Sequence, residues 1–267
     1  MILNEFYLKH YYKSFFNFMN VRGSLAHHHV LADKHADDNL GLPSKFSIGV
    51  WNTFKGGGGS HFDRDFLKIY RDHDILCLQE VLMSESGFWK LDNRLKNFVF
   101  ASSYQRRDDL YEGVMSVATT SALDSSFQVP SRRTEPFLKT PKTSLVTEYL
   151  FRNGIDKLLV VNSHAILFRT VPSFDVEMSY LLAKISEYSG PAIICGDFNT
   201  VTNKYLRVLI DRFSNEGFQL AVMENESRKR HKVLDHIFYR GLNMVEAKID
   251  KKIKSSDHPF LTATFEL

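Results

Sequence analysis

Cysteine is scarce in this chain. Only Cys77 and Cys195 occur among 267 residues, and both lie inside apolar runs, DILCLQE and AIICGD. Two thiols so placed exclude the disulfide framework of a small secreted domain. They read as free, buried side chains, in keeping with a reducing compartment and a cytoplasmic location. No apolar run reaches the roughly 20 residues needed to span a bilayer. The first 20 residues are aromatic but broken by Asn, Glu, Lys and His, so we expect no secretory signal there, with export by another route left open. A large excess of one charge is also missing. The 34 basic and 31 acidic residues leave a formal charge of +3, which alone does not point to a polyanionic partner. Nor does any Gly/Pro-rich linker divide residues 45–267.

What is there begins with an irregular or partly helical extension over residues 1–43, whose His27-His28-His29 reads as a tag-like segment more readily than as a metal site. From residue 44 onward one α/β domain is expected. KFSIGVWN places Phe46, Ile48, Val50 and Asn52 on one face of a strand. GGGGS (residues 56–60) follows as a flexible loop with the composition of an engineered linker. Phe62, Phe66, Ile69 and Tyr70 recur at helical spacing. DILCLQE reads as a buried strand ending in Glu80, with a short helix over about 84–95. EGVMSVAT, TSLVTEYLF, KLLVVNSH, AIICGD, VLDHIFY and LTATFEL read as further strands. Ser173 is placed to cap a helix burying Phe174, Met178, Leu181, Leu182 and Ile185, and Leu206, Leu209, Ile210 and Phe213 mark another. Strands in the majority with helices between them suggest two packed sheets with helices outside.

The chemistry collects at strand ends. In IICGDFNT an apolar run stops at Asp197 and Asn199, two residues apart, which on an extended chain point the same way. A carboxylate at the mouth of an apolar core needs a partner; a plain Asx turn is the alternative reading. Asn52, Glu80, His164, Asp235, and Asp257 with His258 stand at comparable edges. Singly, each has a structural explanation: a cap, a surface acid, a core histidine. Together they would gather four carboxylates at one end of a sandwich, where mutual repulsion calls for a cation. Oxygen donors suit Mg²⁺ or Mn²⁺ better than zinc, and His beside Asp is the pairing that holds and polarises an imidazole.

The ordered set WN (Trp51-Asn52), LQE (Leu78 to Glu80), NSH (Asn162 to His164), GDFN (Gly196 to Asn199), LDHIFY (Leu234 to Tyr239) and SDH (Ser256 to His258) resembles the endonuclease/exonuclease/phosphatase superfamily over about residues 45–267. RRTEPFLKTPKTSLVT, VVNSHA and FYRGLNMVEA are most similar to its bacterial YafD branch. The resemblance implies a four-layer α/β sandwich, two mostly antiparallel sheets with helices on the outer faces, and hydrolysis of a phosphate ester. It implies a metal held by Glu80, with Asn52 and Asp257. It gives Asp197 and Asn199 the attacking water and the phosphate, and makes His258, oriented by Asp235, a base or a phosphate-stabilising acid. His164 would contact a phosphate oxygen or protonate the leaving group. DNase I-like nucleases orient this histidine with an acid after the strand near residue 100; here Tyr104 and Asp108 are the candidates.

A nuclease is the first expectation. RKRHK (residues 228–232) leads into the strand bearing Asp235, so Arg228 and Arg230 are placed to track a nucleic-acid backbone, with Lys142 as a further phosphate contact. The alternative is a phosphatase or phosphodiesterase acting on a lipid headgroup or a small phosphorylated molecule. A monomer is expected.

Overall fold

The computed structural model describes residues 30–33, 40–56, 61–84, 87–88, 95, 97–135, 139–167, 170–228 and 233–267. Two mixed sheets face each other. The first contains β1 (Val30–Asp33), β2 (Lys45–Asn52), β3 (Ile75–Ser84), β4 (Gly87–Phe88), β5 (Phe98–Gln105), β6 (Tyr111–Ala118), β13 (Asn243–Asp250) and β14 (Phe260–Glu266). Its strand order is β1-β5-β6-β3-β2-β14-β13, with β4 folded back on β3. The second contains β7 (Phe127–Thr134), β8 (Pro141–Leu150), β9 (Lys157–His164), β10 (Ala192–Asp197), β11 (Gln219–Leu220) and β12 (Asp235–Arg240), in the order β11-β12-β10-β9-β8-β7. Each sheet has one parallel strand pair, β2 with β3 and β9 with β10; the other strand pairings are antiparallel.

The period-two alternation of β2 explains the layering. Phe46, Ile48 and Val50 enter the core between the sheets with Cys77, Leu145, Val160, Ile193, Cys195, Ile237 and Leu261. Trp51 points the other way, into a second core under α1 (Phe62–Asp72), where it stacks on Phe62 at 5.4 Å. The outer face of the second sheet packs on α2 (Val171–Ile185) and α3 (Asn203–Asn215), with Phe213 meeting Phe238 edge-on at 4.7 Å. Each such fully buried ring contributes on the order of 2–3 kcal/mol. The result is helix, sheet, sheet, helix: the four layers expected. Among the described residues no helix is long and apolar enough to cross a membrane.

Several details differ from the sequence reading. Val30–Asp33, inside the stretch read as an irregular arm, pairs antiparallel with β5. Leu42 is fully buried and bridges to Phe151. β3 does not end at Glu80. It runs on to Ser84 through a bulge in which the register to β6 slips between Leu78 and Val81, so that Leu78 and Val81 both face the α1 side. Gly87–Phe88 is a strand, within the range read as a helix; residues 89–94 lie outside the described residues. α2 starts one turn earlier than Ser173 suggests. Thr170 is the cap, accepting from Ser173 N, and Pro172 sits in the first turn, where its missing N–H costs nothing. The buried faces of the helices follow the apolar spacing, with Leu209 and Phe213 inward in α3. The loop residues 57–60 and the histidines 27–29 lie outside the described residues.

Candidate active site

Three neighbouring strands of the second sheet deliver three side chains side by side. His164 ends β9, Asp197 ends β10 and Asp235 begins β12, and each is paired in register with the next. Adjacent strands lie roughly 4.8 Å apart, which sets the scale of the cluster. Close approach of β9 and β10 depends on Gly196. Its φ is +132°, and a Cβ there would lie 2.0 Å from Ser163 O.

The first sheet contributes from above. Asn52, at the end of β2, donates from Nδ2 to Asp197 Oδ2 at 3.0 Å and accepts from Phe54 N through Oδ1. The turn before β14 is pinned beside it, since Ser256 Oγ donates to Asn52 O at 2.6 Å. That turn carries His258, whose Nδ1 meets Asp235 at 3.0 Å and whose Nε2 stands 3.8 Å from Asp197 Oδ2. His164 Nε2 is also 3.8 Å from Asp197 Oδ2. Asp197 Oδ2 is therefore a hub, with an amide and two imidazoles converging on one oxygen. Its other oxygen, Oδ1, accepts from Asn199 N at 2.9 Å, while Asn199, at φ +51°, donates its amide to Ala165 O. The Asx turn and the converging site are thus both present, made by the same carboxylate.

The charge states follow from burial and neighbours. Burial pushes Asp197 up to about 7, against the pull of the nearby His258 cation. Burial disfavours charge on His258, but Asp235 and Asp197 outweigh it and hold the imidazole well above its usual range. His164 is held well below its usual range, by burial and then by the ammonium of Lys142, so it is neutral at pH 7. Asp197, Asp235 and His258 offer ligand atoms within 4.8 Å of one another and form a group able to hold a metal ion. Because His258 is already engaged as a cation on Asp235, we regard that group foremost as an acid–base cluster.

Glu80 lies beside it, in the β3 bulge at φ +53°. Its burial would raise its pKa, yet the charges of Lys55 and Lys142, with the hydrogen bond from Lys55, hold it well below the usual carboxylate range. Lys55 Nζ is 2.7 Å from Glu80 Oε2 and 3.4 Å from Glu112 Oε2. Lys142 Nζ lies 3.7 Å from Glu112 and 3.9 Å from Glu135, and Tyr104 donates to Glu112 at 2.5 Å. Asp257 is exposed in the turn next to His258, where its charge supports the imidazolium.

Not every expected residue presents itself to the site. Lys142, expected as a phosphate contact, is buried and ion-paired in β8, with its charge reaching Glu80 and His164. Arg228 is also turned inward, bound to Glu226 and donating to Asp235 O at 3.0 Å, so it braces the start of β12. Arg230 lies outside the described residues. Neither Tyr104, which serves Glu112, nor Asp108, exposed and paired with Arg106, holds a hydrogen bond to His164. Glu112 and Lys55 were missed. A signal for Glu112 existed: it precedes Val114 and Ala118 on the face of β6 that enters the core between the sheets, an unusual place for an acid.

The fold recurs among known proteins. The model of the Endonuclease/Exonuclease/phosphatase family matches residues 49–258. A UPF0294 protein of Vibrio vulnificus strain CMCP6 is 37% identical over 226 residues, covering 82% of this chain and 76% of its own. Among solved structures, an endonuclease/exonuclease/phosphatase from Beutenbergia cavernae superposes with a TM-score of 0.64 at 12% identity, over 84% of this chain and 72% of that one. The human Nocturnin catalytic domain with bound sulfate anion gives 0.61 at 17% identity, over 90% and 97%.

Proposed function

Since the chain belongs to the endonuclease/exonuclease/phosphatase family and is a phosphoric ester hydrolase, we propose that it is a Mg²⁺-dependent nuclease that cleaves phosphodiester bonds by in-line attack of water. The observation that supports this most is the hub at Asp197 Oδ2, which brings a carboxylate titrating at about 7, an imidazolium and a neutral imidazole to one point.

The donors fit a hard divalent cation. Glu80 is an ionised, largely buried carboxylate that already attracts a positive charge, and Asn52 and Asp257 would add oxygen donors to it. Glu80, with Asn52 and Asp257, would hold Mg²⁺ (or Mn²⁺), and the bound ion supplies charge neutralisation at the phosphate oxygens. The chain's own groups divide the remaining work. Asp197, poised near neutrality, orients the attacking water and takes its proton. Asn199 fixes the loop that carries the phosphate. His258 stays protonated on Asp235 and donates from Nε2 to a phosphate oxygen as negative charge develops there. His164, neutral, contacts the phosphate on the leaving-group side. The high proton affinity of His258 therefore favours the phosphate-stabilising role over that of base.

Nucleic acid as substrate is supported by the basic run 228–232 leading into β12. A small phosphorylated molecule or lipid headgroup is the second reading, and the inward turn of Arg228 favours it, because that guanidinium is engaged by Glu226 and Asp235 O. A metal-supplemented panel of plasmid DNA, RNA, phosphoinositide and nucleotide, with Asp197→Ala as control, tests both. Nicking of DNA or RNA that weakens steeply with salt supports the first reading. Turnover confined to a phosphoinositide or nucleotide would replace it with the second.

A further inference from the structure

Lys55 stands where a metal ion would be expected to act. It lies, at φ +57°, in the tight turn Phe54–Gly56 that closely follows Asn52. The turn is anchored at both ends: Phe54 N donates to Asn52 Oδ1, and Gly56 N to Thr53 O. This geometry aims the side chain between two carboxylates of different character. Glu112 is almost wholly buried, whereas Glu80 and Lys55 each keep 16% of their side-chain surface accessible. The inner carboxylate is already served by Lys142 and Tyr104.

The charges of the cluster are informative. Lys55 and Lys142 face Glu80, Glu112 and Glu135, so two ammoniums oppose three carboxylates. Arg106, whose charge also reaches Lys55, is matched by its own partner Asp108. Among the described residues this patch is therefore one positive charge short of neutrality.

We propose that Lys55 is the resident counter-cation of Glu80 and yields that carboxylate when the divalent ion binds, retreating onto Glu112. This rests on the reading of Glu80 as a metal ligand. A carboxylate engaged by Lys55 is not competent for metal, and apparent affinity falls in proportion to the fraction of time it is free. If the ammonium holds Glu80 for about nine-tenths of the time, its removal tightens metal binding about tenfold.

Mn²⁺ titration of the whole protein, with free Mn²⁺ read by electron paramagnetic resonance, tests this without any assay of turnover. The variants are Lys55→Met, Lys55→Gln and Glu80→Gln, each checked by thermal unfolding; Lys55→Gln keeps the stem and a polar end in case the methionine perturbs the fold. The expected result is about tenfold tighter binding in both Lys55 variants and loss of binding in Glu80→Gln. Unchanged or weaker binding in both Lys55 variants, with binding lost in Glu80→Gln, overturns the displacement while keeping Glu80 as ligand. Undiminished binding in Glu80→Gln overturns the metal assignment itself.

Discussion

Gln79 Nε2 donates to Asn162 Oδ1 at 2.7 Å, across the gap between the two sheets. Asn162 returns two bonds to the first sheet, from Nδ2 to Leu78 O at 3.1 Å and to Met115 O at 2.8 Å. Both side chains are fully buried. Glu80 follows Gln79 by one residue, and His164 follows Asn162 by two. The middle letter of LQE and the first of NSH thus fix how one half of the site sits over the other.

Replacing Asn162 with alanine removes these three bonds and leaves Gln79 Nε2 and two carbonyls buried without them. A loss of about 2–4 kcal/mol in urea unfolding is expected, with a larger fall in turnover than stability alone explains. Asn162→Asp, which sets a carboxylate oxygen against the two carbonyls in a fully buried site, should cost at least as much as the alanine variant.

Gly196→Ala tests the contact between β9 and β10. With φ at +132° and the added methyl carbon 2.0 Å from Ser163 O, the strands must part. The expected cost is at least ~3 kcal/mol, read as a lowered midpoint of thermal unfolding. A variant as stable as the parent would contradict the described packing.

The catalytic assignments predict non-additive losses. Asp197→Ala and His258→Ala should each lower kcat by at least ~10³-fold with folded far-UV spectra. Asp235→Asn keeps an acceptor near His258 Nδ1 but removes the charge that holds the imidazole protonated. Combined with His258→Ala it should add little further loss, since the two act as a unit. Full additivity would separate them.

Acid sensitivity should trace in part to His236. Burial, and then the neighbouring Arg228, push its imidazole down to about 4. Thr200 Oγ1 donates to Val233 O, so it accepts from His236 Nε2 and the neutral ring is the donor. The folded pKa is below that of the unfolded chain. Stability is therefore complete above about pH 6.5 and falls as the unfolded state takes up a proton, until pH reaches about 4. The full loss is on the order of 3 kcal/mol. Urea midpoints at pH 7 and pH 4 should differ less in His236→Gln than in the parent. His258 has the opposite sign: its pairing supports the fold at low pH and fades as pH rises through its elevated pKa.

Much of this was legible in the chain. Alternation in KFSIGVWN assigned Phe46, Ile48, Val50 and Asn52 to one face, and the polar letters closing the apolar runs marked Asp197, His164 and Glu80. The illegible parts share a physical cause. Lys142 did not read as a buried ion pair because the acids around it are not all local: Glu112 lies on another strand. The bulge at Glu80 was hidden because Val81, Leu82 and Met83 are all apolar, so the change of face leaves no mark in the pattern. Val30–Asp33 is short, with Val30 and Ala32 exposed, and its only claim to strand structure is the neighbour it pairs with.

That short pairing governs how the molecule can be trimmed. β1 covers Phe98–Ala101 at the outer margin of the first sheet. A protein begun at residue 44 would leave those backbone donors and acceptors bare, offering a template onto which another molecule can add a strand. Val30–Asp33 is in this sense a sealing strip, and its removal invites self-association with every residue of the candidate site still in place.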